Sequence, residues 1–212
     1  MIKVLDNVLP AYDFKNLHDE IMSRDFPWNY GRQALIDQVI ENPFLYSFYR
    51  TVIRDGALIY DPHGIIEQTV RLALNYAGEK VRSIMRLRCI LNMVADENYE
   101  LGTHVDHQQP HRTAIFYLND ADGDTIIYNE RFNPLLETLG DNIRIDDVTQ
   151  PKLTIRDKVT PKANRMTILD GHLYHSGKTP TKVPRRVAIN INYTTEEEII
   201  PIHVPNQTLI SY

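Results

Sequence analysis

The chain has 212 residues, 42% of them hydrophobic and 24% charged, ordinary proportions for a globular protein and a length that one domain with a sizeable core can use. Its net charge of −5 lacks the basic surplus of non-specific nucleic-acid binders and leaves only a local basic patch as a route to such a substrate. The single cysteine, Cys89, excludes an internal disulfide and suits a reducing compartment. No run approaches the roughly 20 apolar residues that span a bilayer, and "MIKVLDNVLPAYDF" lacks the apolar stretch of a signal peptide. The expectation is a cytoplasmic protein with no membrane partner.

In chain order, "IKVLDNVL" reads as a short strand that leads through Pro10 into a helix around residues 11–24, where Phe14, Leu17 and Ile21 fall at three- and four-residue steps. "FPWNYGRQ" is loop-like, and residues 29–62 are rich in aromatics without a clear period. "PHGIIEQTVRLALNYAG" predicts a second helix: Ile66, Val70, Ala73 and Ala77 form one stripe, Gly78 terminates it, and His63 precedes it at an N-cap-like position. After Gly78 the period changes to two. "RSIMRLRCILNMVA", "RTAIFYLND", "DTIIYNERF", "RMTILDG" and "RRVAININYT" read as strands separated by turn residues. Helices first and antiparallel strands afterwards predict an α+β, mainly β fold in one domain. Residues 1–80 are expected as helical support and 81–195 as a barrel with a proline-rich, charged insertion near 133–163. The tail, 196–212, contains "IIPIHVPNQTLISY" and His203.

The stretch "LGTHVDHQQPHR", residues 101–112, holds three histidines and an aspartate. Within it, His104-Val105-Asp106 can place an imidazole and a carboxylate on one ion if the backbone is extended, because side chains at i and i+2 of a strand point the same way. Chance alone supplies about one His-x-Asp/Glu in a chain of this composition, and His18-Asp19-Glu20 is such a copy. It lies on the first helix, where residues two apart diverge by roughly 200° and cannot share a metal. Downstream, "ILDGHLYHSGKTPTKVPRRVAININ" offers His175 and, three residues earlier, His172. Two histidines and one carboxylate form a facial triad that leaves three positions of an octahedral ion open, which suits non-haem Fe(II) oxygen chemistry. His107 and His111 read as an exposed loop, and His172 as a turn residue or a hydrogen-bonded neighbour.

The order His104-x-Asp106, "FYLND", "DGDTIIY", His175-Ser-Gly and "RRVAINI" resembles the Fe(II)- and 2-oxoglutarate-dependent dioxygenases. It is most similar to the prolyl-4-hydroxylase-like branch, including small members carried by bacteriophages. The resemblance covers residues 85–194 and, more faintly, the N-terminal strand and helix. It implies a double-stranded β-helix, a jelly roll with the metal at its open mouth, and His104, Asp106 and His175 as ligands of Fe(II). It implies dioxygen and 2-oxoglutarate as co-substrates, ascorbate as a candidate reductant, and oxidative decarboxylation to succinate coupled to hydroxylation. The primary substrate stays open among a peptidyl residue, an amino acid, a small metabolite and a modified nucleobase. For the far carboxylate of 2-oxoglutarate the family uses an arginine, whose planar fork holds a carboxylate at two points. Arg186 is expected there rather than Arg185, because alternation puts it on the side of Ala188, Asn190 and Asn192. Tyr117 matches the family tyrosine on the same carboxylate or fills the core, and Asn92 and Asn190 are further candidates for the pocket wall. The rival readings are a cupin-like metal hydrolase or isomerase and a non-catalytic barrel. Intact ligands and an arginine-bearing last strand weigh against both.

Overall fold

A computed structural model of the chain describes residues 2–32, 46–132 and 153–196. The major sheet runs in the order β1 (Ile2–Leu5), β10 (Arg165–Asp170), β7 (Arg112–Tyr117), β12 (Arg185–Thr195), β5 (Val81–Met93), β3 (Tyr46–Arg54) and β2 (Asn29–Arg32), with β4 (Ala57–Leu58) paired to β3. The minor sheet runs β6 (Glu100–His104), β11 (Leu173–Lys178), β8 (Thr125–Arg131) and β9 (Ile155–Val159). Every ladder is antiparallel.

Period-two alternation sorts the side chains of the major sheet into two cores. On β12, Val187, Ile189, Ile191 and Tyr193 face outward with Leu87, Cys89, Phe116 and Ile168. Two helices cover that face: α1 (Ala11–Met22), through Leu17 and Ile21, and α2 (Ile65–Tyr76), through Ile66, Val70, Ala73 and Leu74. Each fully buried aliphatic side chain of this layer contributes about 1.5–3 kcal/mol. The opposite face carries Tyr117, Ile115, Leu169 and Ala188, which meet Ile127, Val159 and Leu173 of the minor sheet. Two sheets closed over that second core form a jelly roll, the double-stranded β-helix. Buried Glu79, just after α2, ties the layers together: its carboxylate accepts hydrogen bonds from Lys3 at 2.7 Å, Arg112 at 2.8 Å and the Tyr193 hydroxyl at 3.0 Å.

Several expectations need correction. Residues 1–80 are not helical support alone, because β1 to β4 extend the major sheet, and three of these strands come from the aromatic stretch that has no clear period. The proposed insertion is shorter than 133–163, since 155–159 forms β9 at the edge of the minor sheet. Residues 133–152 and the tail 197–212, with His203, lie outside the described residues. His63 is not the cap of α2. Gly64 is, in the left-handed region at φ 66°, and the Asp61 carboxylate accepts the orphan amides of Ile66 at 3.3 Å and Glu67 at 2.9 Å. No helix among the described residues is long and apolar enough to cross a membrane.

Candidate active site

Strand pairing places the two histidines. β6 and β11 are neighbours in the minor sheet, and His104 and His175 are direct cross-strand partners, so their rings share a face with centroids 4.9 Å apart. Asp106, two residues beyond the end of β6, completes the group: one carboxylate oxygen is 3.6 Å from His104 Nε2 and the other 3.6 Å from His175 Nε2. These three are the one group among the described residues whose ligand atoms cluster as a metal requires, all within 4.8 Å of one another. The helical copy forms no such cluster. His18 contacts Asp19, and Glu20 pairs instead with His63 at 2.9 Å.

Each ring is oriented by its second nitrogen. His104 Nδ1 lies 2.8 Å from the Gly102 carbonyl and His175 Nδ1 3.0 Å from the Leu173 carbonyl. A carbonyl only accepts, so the proton sits on Nδ1 and each Nε2 presents a lone pair to the cluster. His175 is 3% exposed, and its Nε2 is buried without a hydrogen-bond partner. An orphaned, inward-aimed acceptor beside a second imidazole and a carboxylate fits a divalent metal ion.

Asp106 joins the two sheets. Its carboxylate, 2% exposed, accepts hydrogen bonds from Asn192 Nδ2 at 2.7 Å, Asn190 Nδ2 at 3.2 Å and Thr113 Oγ1 at 3.4 Å, and from Arg86. Burial raises the carboxyl's pKa, but the two imidazoles beside it and the positive charge of Arg86 outweigh it and hold the group well below the usual range. It is a carboxylate at any ordinary pH. Asn190, expected along the pocket wall, thus has its amide nitrogen on Asp106.

A second polar cluster lies further along β12. Arg186 is 5% exposed, whereas Arg185, its neighbour, faces solvent. Among the described residues no carboxylate lies within 4.0 Å of the Arg186 guanidinium. Its Nη2 donates to Thr125 Oγ1 at 2.8 Å, its Nε is orphaned, and its Cζ lies 5.4 Å from the Tyr117 ring centre. Tyr117 and Thr125 share one hydroxyl bond of 2.7 Å. With one proton used between two hydroxyls, the other is left to donate to a bound group. A buried guanidinium with an orphaned donor and a spare hydroxyl proton fits an anionic ligand, and desolvation lowers the pKa of Arg186 for want of one. Asn92 is its cross-strand partner and is buried.

The remaining histidines stand apart from the cluster. His172 Nε2 lies 3.0 Å from the Gln108 carbonyl and its ring packs on Phe132 and His111. Iron content of His172→Ala should therefore match wild type, whereas His175→Ala should lose its metal; the reverse pattern by metal analysis would exchange the two. His111 departs from its expected place in an exposed loop. It is 3% exposed, with its ring against Gly171, where any Cβ would collide with the imidazole. Burial pushes its pKa down to about 4, so the ring is neutral at pH 7. Thr125, Thr113, Asn192 and Arg86 were not anticipated. The i, i+2 repeat of Arg86 and Arg88 on β5, and for Asn192 its alternation with Arg186 and Asn190 on β12, are the sequence signals that point to two of them.

No protein-family model and no curated protein matches this sequence. Solved structures do resemble it. A prolyl hydroxylase from Trichoplax adhaerens, in complex with a hypoxia inducible factor peptide fragment, is 13% identical with a TM-score of 0.55, covering 92% of this chain and 84% of that one. A Pseudomonas putida prolyl-4-hydroxylase is 14% identical with a TM-score of 0.51, covering 92% of both chains. HygX from Streptomyces hygroscopicus, with nickel and 2-oxoglutarate bound, is 12% identical with a TM-score of 0.52 over 92% and 83%. At such identities the likeness is one of fold.

Proposed function

We propose that this chain is an Fe(II)- and 2-oxoglutarate-dependent oxygenase that hydroxylates a C–H bond of its primary substrate. The observation that carries the proposal is a buried Arg186 with no carboxylate partner among the described residues, on the same jelly-roll wall that anchors the His104, Asp106 and His175 cluster. A hydrolase or isomerase on the same three ligands has no use for that arginine. The fold shared with prolyl hydroxylases and with a 2-oxoglutarate-binding protein supports the reading, and makes a peptidyl residue one candidate substrate.

His104, Asp106 and His175 would hold the iron, which when bound with 2-oxoglutarate and dioxygen supplies the oxidising chemistry that ends in succinate, carbon dioxide and a hydroxylated product. The chain supplies placement and a dry site. The Gly102 and Leu173 carbonyls keep both imidazoles in the metal-binding tautomer. Asn192, Asn190 and Thr113 keep Asp106 ionised and aimed. Arg186, with the spare proton of Tyr117 or Thr125, would hold the far carboxylate of 2-oxoglutarate. Ile115, Ile127, Leu169 and Leu173 fill the interior around this pocket and exclude the water that would compete for that carboxylate.

Anaerobic addition of Fe(II) and 2-oxoglutarate should produce a visible metal-to-ligand charge-transfer band, and admission of air should yield slow succinate formation without added substrate. Absence of both would return the site to the hydrolase or the non-catalytic reading.

A further inference from the structure

The wall of the jelly roll beside Asp106 carries more positive charge than the proposed iron and 2-oxoglutarate site uses. Along the face of β5 that looks into the roll stand Arg86, Arg88, Ile90 and Asn92, paired respectively with Asn192, Asn190, Ala188 and Arg186 of β12. Arg186 and Arg88 are thus four residues apart along the ladder, roughly 13 Å between backbones at about 3.3 Å per residue. They serve different ends of the cavity, with Arg88 at the end where Asn190 and Asn192 hold Asp106.

On the other side of β5, β3 continues the same face. Thr51 is the cross-strand partner of Arg88, Tyr49 that of Ile90 and Arg54 that of Arg86. Arg54 and Arg86 therefore oppose each other directly, an arrangement that destabilises a sheet unless an anion separates the charges. Asp106 answers Arg86, but among the described residues no carboxylate lies within 4.0 Å of Arg54 or Arg88. Arg88 is half-buried over the Tyr49 ring, with its Cζ 5.2 Å from the ring centre and its Nε buried without a partner. Thr51 is 5% exposed, and its hydroxyl is buried without a partner as well. Desolvation and the neighbouring charge of Arg86 both lower the pKa of Arg88. A half-buried guanidinium crowded by two others and flanked by an orphaned hydroxyl is a donor set without an acceptor.

We propose that Arg88 and Thr51, with Arg54 and Arg86 supplying field, form a subsite for an oxyanion of the primary substrate, a carboxylate or a phosphate, held next to the metal on the side away from Arg186. The inference rests on the proposed oxygenase site and narrows its substrate to one bearing such a group. The overall charge of −5 opposes a polyanion such as nucleic acid, and the subsite suits a single oxyanion close to the carbon that reacts.

The test uses anaerobic protein loaded with Fe(II) and saturating 2-oxoglutarate, so that the Arg186 pocket is filled, titrated calorimetrically with inorganic phosphate and separately with acetate. At least one should bind, and the tighter of the two tells a phosphate from a carboxylate substrate. Arg88→Gln should weaken that binding at least tenfold. Arg88→Lys, which keeps the charge, should weaken it less. The 2-oxoglutarate affinity of both variants should stay within twofold of wild type, which also reports that they fold. Failure of both anions to bind, or equal binding by wild type and Arg88→Gln, would overturn the subsite. Failure of the oxygenase reading registers separately, as loss of 2-oxoglutarate binding to the metal-loaded wild type; anion binding to that protein that still depends on Arg88 would leave the subsite standing.

Discussion

His104→Ala, Asp106→Ala and His175→Ala should each reduce iron-dependent succinate formation to background, the largest effect expected of any single substitution here. Three ligands leave an ion no redundancy, and each Nε2 lone pair is already aimed by a backbone carbonyl. The three should differ in stability. His104 sits at the mouth with 46% of its side chain exposed, so its truncation should barely move a urea midpoint. Asp106→Ala removes the acceptor shared by Arg86, Asn190, Asn192 and Thr113 and should cost about 1–3 kcal/mol, the penalty for buried donors left unmade. Metal ligands at a barrel mouth are expected to add little to the apolar core, and Asp106 departs from that through its polar contacts with the major sheet. Asp106→Asn therefore separates lost chemistry from lost fold. His18→Ala and Glu20→Ala should leave turnover unchanged. Activity that survives in His175→Ala and vanishes in either helix variant would dismantle the site.

The parts of this molecule that could be read from sequence are those where one face is apolar and the other is not. On β12 the apolar set Val187, Ile189 and Ile191 marks one side and leaves Arg186 and Asn190 for the other, and the alternation survives into the structure through Tyr193. The stripe of α2 is equally plain. Where polarity is mixed the signal fails. β3 carries Arg50 over the Tyr60 ring on one side and Thr51 beside Arg88 on the other, so neither face reads as core. Four of the five residues of β9 are exposed, and their charges make it look like part of an insertion. His111 is buried against Gly171, distant in sequence, where a side chain would collide with its ring. The junction of Asp106 with Arg86, Asn190 and Asn192 arises where the minor sheet closes over the major one, and no local pattern encodes that closure.

Arg186→Ala should raise the 2-oxoglutarate requirement at least tenfold, while Arg185→Ala should change it little. The two arginines are adjacent in sequence and opposite in fate. Arg185 opens β12 with its side chain in solvent, its backbone paired with Met93 of β5 and its carbonyl accepting from Asn119 Nδ2 at 2.9 Å. Arg186 turns into the roll, where Thr125 and the Tyr117 ring hold it and an orphaned Nε remains for a ligand. Truncating a buried, charge-assisted partner of a carboxylate typically costs roughly 2–5 kcal/mol of binding, so tenfold, about 1.4 kcal/mol, is a floor beneath that range. Arg186→Lys is the sharper variant: a lysine keeps the charge but not the fork, so its affinity should fall between those of wild type and Arg186→Ala. Tyr117→Phe tests the hydroxyl pair. If the spare proton reaches the co-substrate, the loss should be smaller than for Arg186→Ala and should appear in 2-oxoglutarate affinity at unchanged metal content. Equal tolerance of both arginine truncations would remove 2-oxoglutarate from this pocket. Sensitivity of Arg185 alone would mean that the strand presents the opposite face to the ligand.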